Sequence, residues 1–177
     1  FRSPENIITA GKKALDEGHH FYTPAKGIPE LREAVANDIH KYRGVTVDKE
    51  NVMIVPGGKP TMFFAITMLG EAGTEIMYPN PGFPIYESMI EFSGAKAVPI
   101  ELLESNGFAF DPDRVLSQIN DKTRLIILNT PANPTGGVLE RDAIDRFVAG
   151  LEKHPNVVLL ADEIYSRLLY DGLKHVS

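Results

Sequence analysis

Cysteine is absent from the 177 residues, which excludes disulfides and thiolate chemistry of any kind. Long apolar runs are absent too. The longest runs, such as Leu125–Leu128 and Val157–Ala161, have at most five residues, far too short to cross a bilayer. No signal peptide opens the chain, and no repeat or low-complexity tract interrupts it. A basic excess is also missing. The 24 acidic and 18 basic residues give a net charge of −6, which argues against a nucleic-acid surface. Neither the Walker spacing GxxxxGK[ST] nor the dinucleotide fingerprint GxGxxG occurs. The five histidines have no ligand spacing, so no metal site is expected. His19 and His20 adjoin a helix end, where a cation suits the dipole. What remains is a composition of 43% hydrophobic and 24% charged residues, ordinary for a globular protein.

Short apolar runs alternate with amphipathic segments, the pattern of a βαβ succession. Ser3–Glu17 reads as a helix, opened by Ser3-Pro4-Glu5 and ended by Gly18. Pro29–Arg43 is a second, with Leu31, Ala34, Val35, Ile39 and Tyr42 at helical spacing. Expected strands follow at Asn51–Val55, Glu75–Tyr78, Lys96–Glu101, Arg124–Leu128 and Asn156–Ala161. Helices are expected at Pro60–Leu69, Pro84–Phe92, Pro112–Ile119 and Glu140–Glu152. The strands are apolar on both faces, as in a mostly parallel sheet covered by helices on each side. The fold class is therefore α/β, a three-layer αβα arrangement. Residues 1–42 form a leading segment and 43–177 the first part of the large domain.

Ligands in such sheets bind beyond the carboxyl ends of the strands, which selects four loops. In Pro56-Gly57-Gly58-Lys59-Pro60, the glycines allow close backbone approach and the helix start offers free N–H groups to an anion. A ligand-free tight turn explains the same residues. In Asn80-Pro81-Gly82-Phe83-Pro84, Phe83 is either a stacking platform for a planar ring or simply core. In the run from Asn129 to Gly137, two prolines stiffen the loop around Asn133. In Ala161-Asp162-Glu163-Ile164-Tyr165, Asp162 directly follows an apolar strand. A carboxylate shielded there needs a partner, whether an arginine, a metal or a protonated ligand nitrogen. An N-capping Asp beside a core Tyr165 is the alternative.

Taken together these segments resemble the class I/II aminotransferases, enzymes of fold type I that use pyridoxal 5′-phosphate. The resemblance is carried by Tyr22-Thr23-Pro24-Ala25-Lys26-Gly27-Ile28-Pro29-Glu30-Leu31-Arg32, by Gly57-Gly58-Lys59, by NPGFPIY starting at Asn80, by NTPANPTGG starting at Asn129 and by ADEIYSRLLYDG starting at Ala161. It looks most like the aspartate-aminotransferase-like branch. It implies that Asp162 accepts a hydrogen bond from the protonated pyridine nitrogen and that Asn133 and Tyr165 bind the ring's phenolic oxygen. It further implies that Phe83 stacks on the ring and that the backbone of Gly58 and Lys59 binds the phosphate. Tyr22 would reach the cofactor of a neighbouring subunit, which implies a homodimer. Cis peptides are implied before Pro81 and Pro134.

Pro60, Thr61 and Ala132 depart from the common family pattern. Beginning at Phe1 and ending at Ser177, the chain reads as the first part of a longer protein. The Schiff-base lysine and the arginines for phosphate and substrate carboxylate would lie beyond Tyr165, outside these residues. The 177 residues alone are therefore expected to be inactive, with no catalytic residue of their own. The resemblance implies a cytoplasmic enzyme that moves an amino group from an α-amino acid to a 2-oxo acid, with neither nucleic acid nor membrane as partner. A β-lyase on the same scaffold, or the cofactor-binding sensor domain of a transcription regulator, is the alternative.

Overall fold

A buried arginine organises the first of two compact units in the computed structural model, which describes residues 1–177. That unit spans Phe1–Val55 and contains α1 (Glu5–Asp16) and α2 (Pro29–Arg43). Pro29 occupies the first turn of α2, where its missing N–H costs nothing, and Gly44 ends it at φ 71°. Arg32 is 6% exposed. It donates to the carbonyls of Lys49 and Val52 and pairs with Glu50 at 2.7 Å. These bonds tie residues 49–52 to α2, so this stretch belongs with the first unit. The strand expected over Asn51–Val55 does not form. A short 3₁₀ turn occupies Lys49–Asn51, and the chain beyond it is extended at Val52 but joins no sheet. Its backbone is satisfied locally instead, the Ile54 N–H donating to the Lys26 carbonyl at 2.9 Å.

The second unit, Pro56–Ser177, holds the sheet. Its order is α3 (Gly58–Leu69), β1 (Glu75–Asn80), α4 (Ile85–Ser93), β2 (Lys96–Glu101), α5 (Pro112–Gln118), β3 (Thr123–Asn129), α6 (Arg141–Leu151) and β4 (Val158–Asp162). All four strands are parallel, in the order β2-β1-β3-β4. The alternation of side chains along a strand divides the core in two. Ile76, Tyr78, Leu125 and Ile127 meet Met62 and Ile66 of α3 and Tyr86 and Ile90 of α4. Met77, Ile126 and Leu128 face the other way, onto Val115 of α5 and Phe147 of α6. Both faces of β1 and β3 are therefore covered, as expected of the strands. The outer strands differ: β4 is only partly covered, with Val158 46% exposed, because it lies at the sheet's edge.

Glu75 begins β1 and is nearly buried. It accepts hydrogen bonds from Asn120 Nδ2 at 2.8 Å and Lys96 Nζ at 2.9 Å. These bonds, Asn120 first, hold its carboxyl below the usual carboxylate range. A native value lower than the unfolded one adds stability that is complete above about pH 5 and is lost as pH falls through the native value. Glu75→Gln should cost about 1 kcal/mol at pH 7 and progressively less as the pH falls through the native value. Denaturant melts across that range should therefore show a shallower acid dependence in the variant. Equal slopes would show that the pair contributes nothing.

Candidate functional site

The loops after β1, β3 and β4, with the start of α3, converge on one cavity of about 380 Å³. Gly57 lies at φ 99° and ψ 168°, a conformation that side-chain-bearing residues avoid, and it leads directly into α3. The N–H groups of Gly58 and Lys59 belong to the first turn of α3, where no intrahelical acceptor exists. Pro60 has no N–H to offer, and no acidic side chain occupies this turn. The positive end of the helix therefore faces the cavity uncompensated.

The loop after β1 carries Phe83, half-buried, through a cis peptide at Asn80–Pro81. A side chain at Gly82 would run into the Pro79 carbonyl oxygen, so the turn requires glycine. Phe83 meets Tyr86 edge to face, with centroids 6.0 Å apart and planes at 85°. Lys59 Nζ lies 5.9 Å from the Phe83 centroid.

Asn129 ends β3 and is buried. Its Nδ2 donates to the Asp162 carbonyl at 2.9 Å, and its Oδ1 accepts the Asn133 N–H at 2.7 Å. One side chain thereby locks the ends of β3 and β4 to the loop between Thr130 and Gly137. That loop is cis at Thr130–Pro131 and Asn133–Pro134, the first of which the sequence reading did not include. Leu139 donates back to Thr130 Oγ1 at 3.1 Å, and Ala132 to the Gly137 carbonyl at 2.9 Å. Asn133 Nδ2 comes within 3.5 Å of the Tyr165 hydroxyl.

Asp162 is the last residue of β4, facing the cavity and half-buried rather than fully shielded. Its side-chain partner within the chain is a hydroxyl. Tyr86 Oη donates to Asp162 Oδ2 at 2.5 Å, while the Ile164 N–H donates to Oδ1 at 3.3 Å. Burial, and then the bond to Asp162, push the Tyr86 phenol well above its usual range, so it stays a donor at any physiological pH. On the same face, burial and the 2.7 Å bond to Glu87 push Tyr78 up to about 12.

Of the residues singled out from the sequence, Gly58, Lys59, Phe83, Asn133, Asp162 and Tyr165 line this one cavity. Tyr22 belongs to the first unit, on the segment between α1 and α2, and is exposed. Sequence reasoning missed Tyr86 and Asn129, which also line the cavity. Asn129 had a signal: it is an amide that directly follows the apolar run Leu125–Leu128 of its strand. Tyr86 had a weaker one, lying three residues after Phe83 and hence on its side of a helix. No group of three or more His, Asp or Glu side chains could hold a metal ion, and no helix is long and apolar enough to cross a membrane.

A parallel α/β sheet here gathers a helix start with free N–H groups, a half-buried aromatic and a carboxylate around one crevice. The comparisons give the family. The family model for aminotransferase class I and II matches residues 1–177. An aspartate aminotransferase from Pyrococcus horikoshii is 40% identical over 99% of this chain and 44% of its own length. The solved aspartate aminotransferase of Thermus thermophilus with maleate superposes with a TM-score of 0.95 at 35% identity, covering 100% of this chain and 46% of that one. An alanine aminotransferase from Pyrococcus furiosus gives 0.94 at 29% identity, covering 100% of this chain and 44% of that one. The chain belongs to the class I and II aminotransferase family, whose members use pyridoxal 5′-phosphate. It spans less than half the length of these relatives.

Proposed function

We propose that the protein carrying this chain is a pyridoxal-phosphate-dependent aminotransferase that moves an amino group from an α-amino acid to a 2-oxo acid. The observation that carries this reading is the position of Asp162: its carboxylate faces the cavity that Gly58, Phe83, Asn133 and Tyr165 also line. The lining groups fit the cofactor's phosphate, phenolic oxygen and ring nitrogen. The Gly58 and Lys59 N–H groups take the phosphate. Phe83 covers one face of the ring, so the ring displaces water from an apolar wall. The Asn133 amide and the Tyr165 hydroxyl donate to the phenolic oxygen, and the loop bonds around Asn129 hold both donors in place.

Asp162 accepts the ring N–H and so keeps a proton on that nitrogen. When bound, the cofactor supplies an electron sink for the charge left on the substrate carbon. Asp162 makes that sink effective by stabilising the positive ring. Lys59 is the only lysine lining the cavity. It sits in the first turn of α3 with the phosphate-binding N–H groups, and it serves the phosphate rather than the aldehyde. The covalent lysine and the carboxylate-binding arginines then lie outside these 177 residues, and this chain alone does not turn over. Tyr22 contributes to the neighbouring subunit's cofactor in a cytoplasmic homodimer, in keeping with its exposure.

The test uses the protein at its full natural length, given amino acid alone. Conversion of the bound cofactor to pyridoxamine 5′-phosphate, with release of one 2-oxo acid per site, is expected. Steady release of pyruvate and ammonia would instead assign a β-lyase. Failure to bind the cofactor would overturn the reading altogether.

A further inference from the structure

We infer that Tyr86 is a positioning residue for Asp162, its hydroxyl fixing the rotation of the carboxylate so that the remaining acceptor sites face the cavity. The inference rests on the cofactor reading of Asp162 given above. Tyr86 is fully buried, and its ring packs in the core layer with Met62, Ile66 and Ile90. The ring therefore has no freedom to follow a moving partner. Its hydroxyl reaches 76 positions along the chain to Asp162 Oδ2 at 2.5 Å.

The second carboxylate oxygen is held by a different element, the turn after β4, through the Ile164 N–H. The backbone of Asp162 is held by a third, because Asn129 Nδ2 and the Thr130 N–H both donate to its carbonyl. Main chain and both carboxylate oxygens are thus fixed independently. An ionised carboxylate offers about four acceptor directions. Two are used by Tyr86 and Ile164, which leaves two for a donor inside the cavity.

A core tyrosine that merely needed a partner for its hydroxyl could have used a backbone carbonyl of the strands it covers. The bond goes instead to the one ionisable side chain that ends β4 at the ligand edge. Tyr86→Phe separates the two roles, since it keeps the ring, the core packing and the edge contact with Phe83 and deletes only the donor. Water from the open cavity can then reach Oδ2, so the fold survives while the carboxylate gains freedom.

The experiment measures equilibrium binding of two ligands to the full-length protein and its variants. One is pyridoxamine 5′-phosphate. The other is its carbocyclic analogue, with CH in place of the ring nitrogen. Tyr86→Phe should weaken pyridoxamine phosphate about tenfold and leave the analogue within about twofold. An unchanged affinity for both, or an equal loss for both, overturns the inference and leaves Tyr86 as packing. Asp162→Asn is the control that separates this failure from the larger one. If Asp162→Asn loses the preference for the nitrogen-bearing ligand while Tyr86→Phe keeps it in full, only the Tyr86 role falls. If Asp162→Asn binds both ligands as the wild type does, the cofactor reading of Asp162 falls and takes the Tyr86 role with it.

Discussion

Asp162→Ala should weaken pyridoxamine phosphate binding by the full-length protein about a thousandfold, with a comparable or larger loss of turnover. The size follows from electrostatics. Opposite unit charges at ~4 Å and an effective dielectric of ~20 attract by roughly 4 kcal/mol, which is about three powers of ten in affinity. Asp162 is only half-buried, so this is the upper end of the range. Alanine also takes the Asp162 acceptor from the Tyr86 hydroxyl and leaves it to water from the cavity, an added cost of about 1 kcal/mol to folding. Binding measured by fluorescence or calorimetry on folded protein separates the two effects. A loss of less than about tenfold would mean that no cation meets this carboxylate.

Phe147→Ala should destabilise the sheet unit by about 3–5 kcal/mol. Phe147 is the buried residue of α6, only 1% exposed, and it meets Phe110 edge to face at 4.9 Å. It fills the layer beneath Ile126 and Leu128 of β3, so its removal leaves a cavity that neighbouring rigid strands cannot close. Because the layer lies across the sheet from Tyr86 and Phe83, cofactor affinity below the melting range should stay within about threefold. Denaturant unfolding with the same slope and a lower midpoint is the expected record. A loss of stability below about 1 kcal/mol would show that α6 is not a structural part of this core.

The parts of the fold legible in the sequence were those written in local chemistry. Helix α2 begins at Pro29 and ends before Gly44, and β2 spans Lys96–Glu101, as the pattern of turn formers and apolar residues predicts. Residues 51–55 mislead because a short β-branched run encodes only a preference for extension. Whether it becomes a strand depends on a partner, and none of the four strands pairs with it.

The same distinction runs through the site. Phe83, Asn133, Asp162 and Tyr165 announce themselves by standing at or just after strand ends, where the rules of a parallel sheet place ligands, and Gly57-Gly58-Lys59 by opening a helix. The link from Tyr86 to Asp162 does not, because it joins residues far apart in sequence and an aromatic in a helix reads first as core. The partners expected for Asp162 are cations, a protonated ligand nitrogen among them, since charge is what burial makes costly. The structure supplies a phenol within the chain and leaves the rest of the carboxylate to the cavity.

The most direct measurement is the ¹⁵N resonance of a cofactor labelled at its ring nitrogen and bound to the full-length protein. The nitrogen should carry a proton up to at least pH 8 in the wild type and lose it near neutrality in Asp162→Ala. An unprotonated nitrogen in the wild type at pH 7, or the same titration in both proteins, would contradict the account.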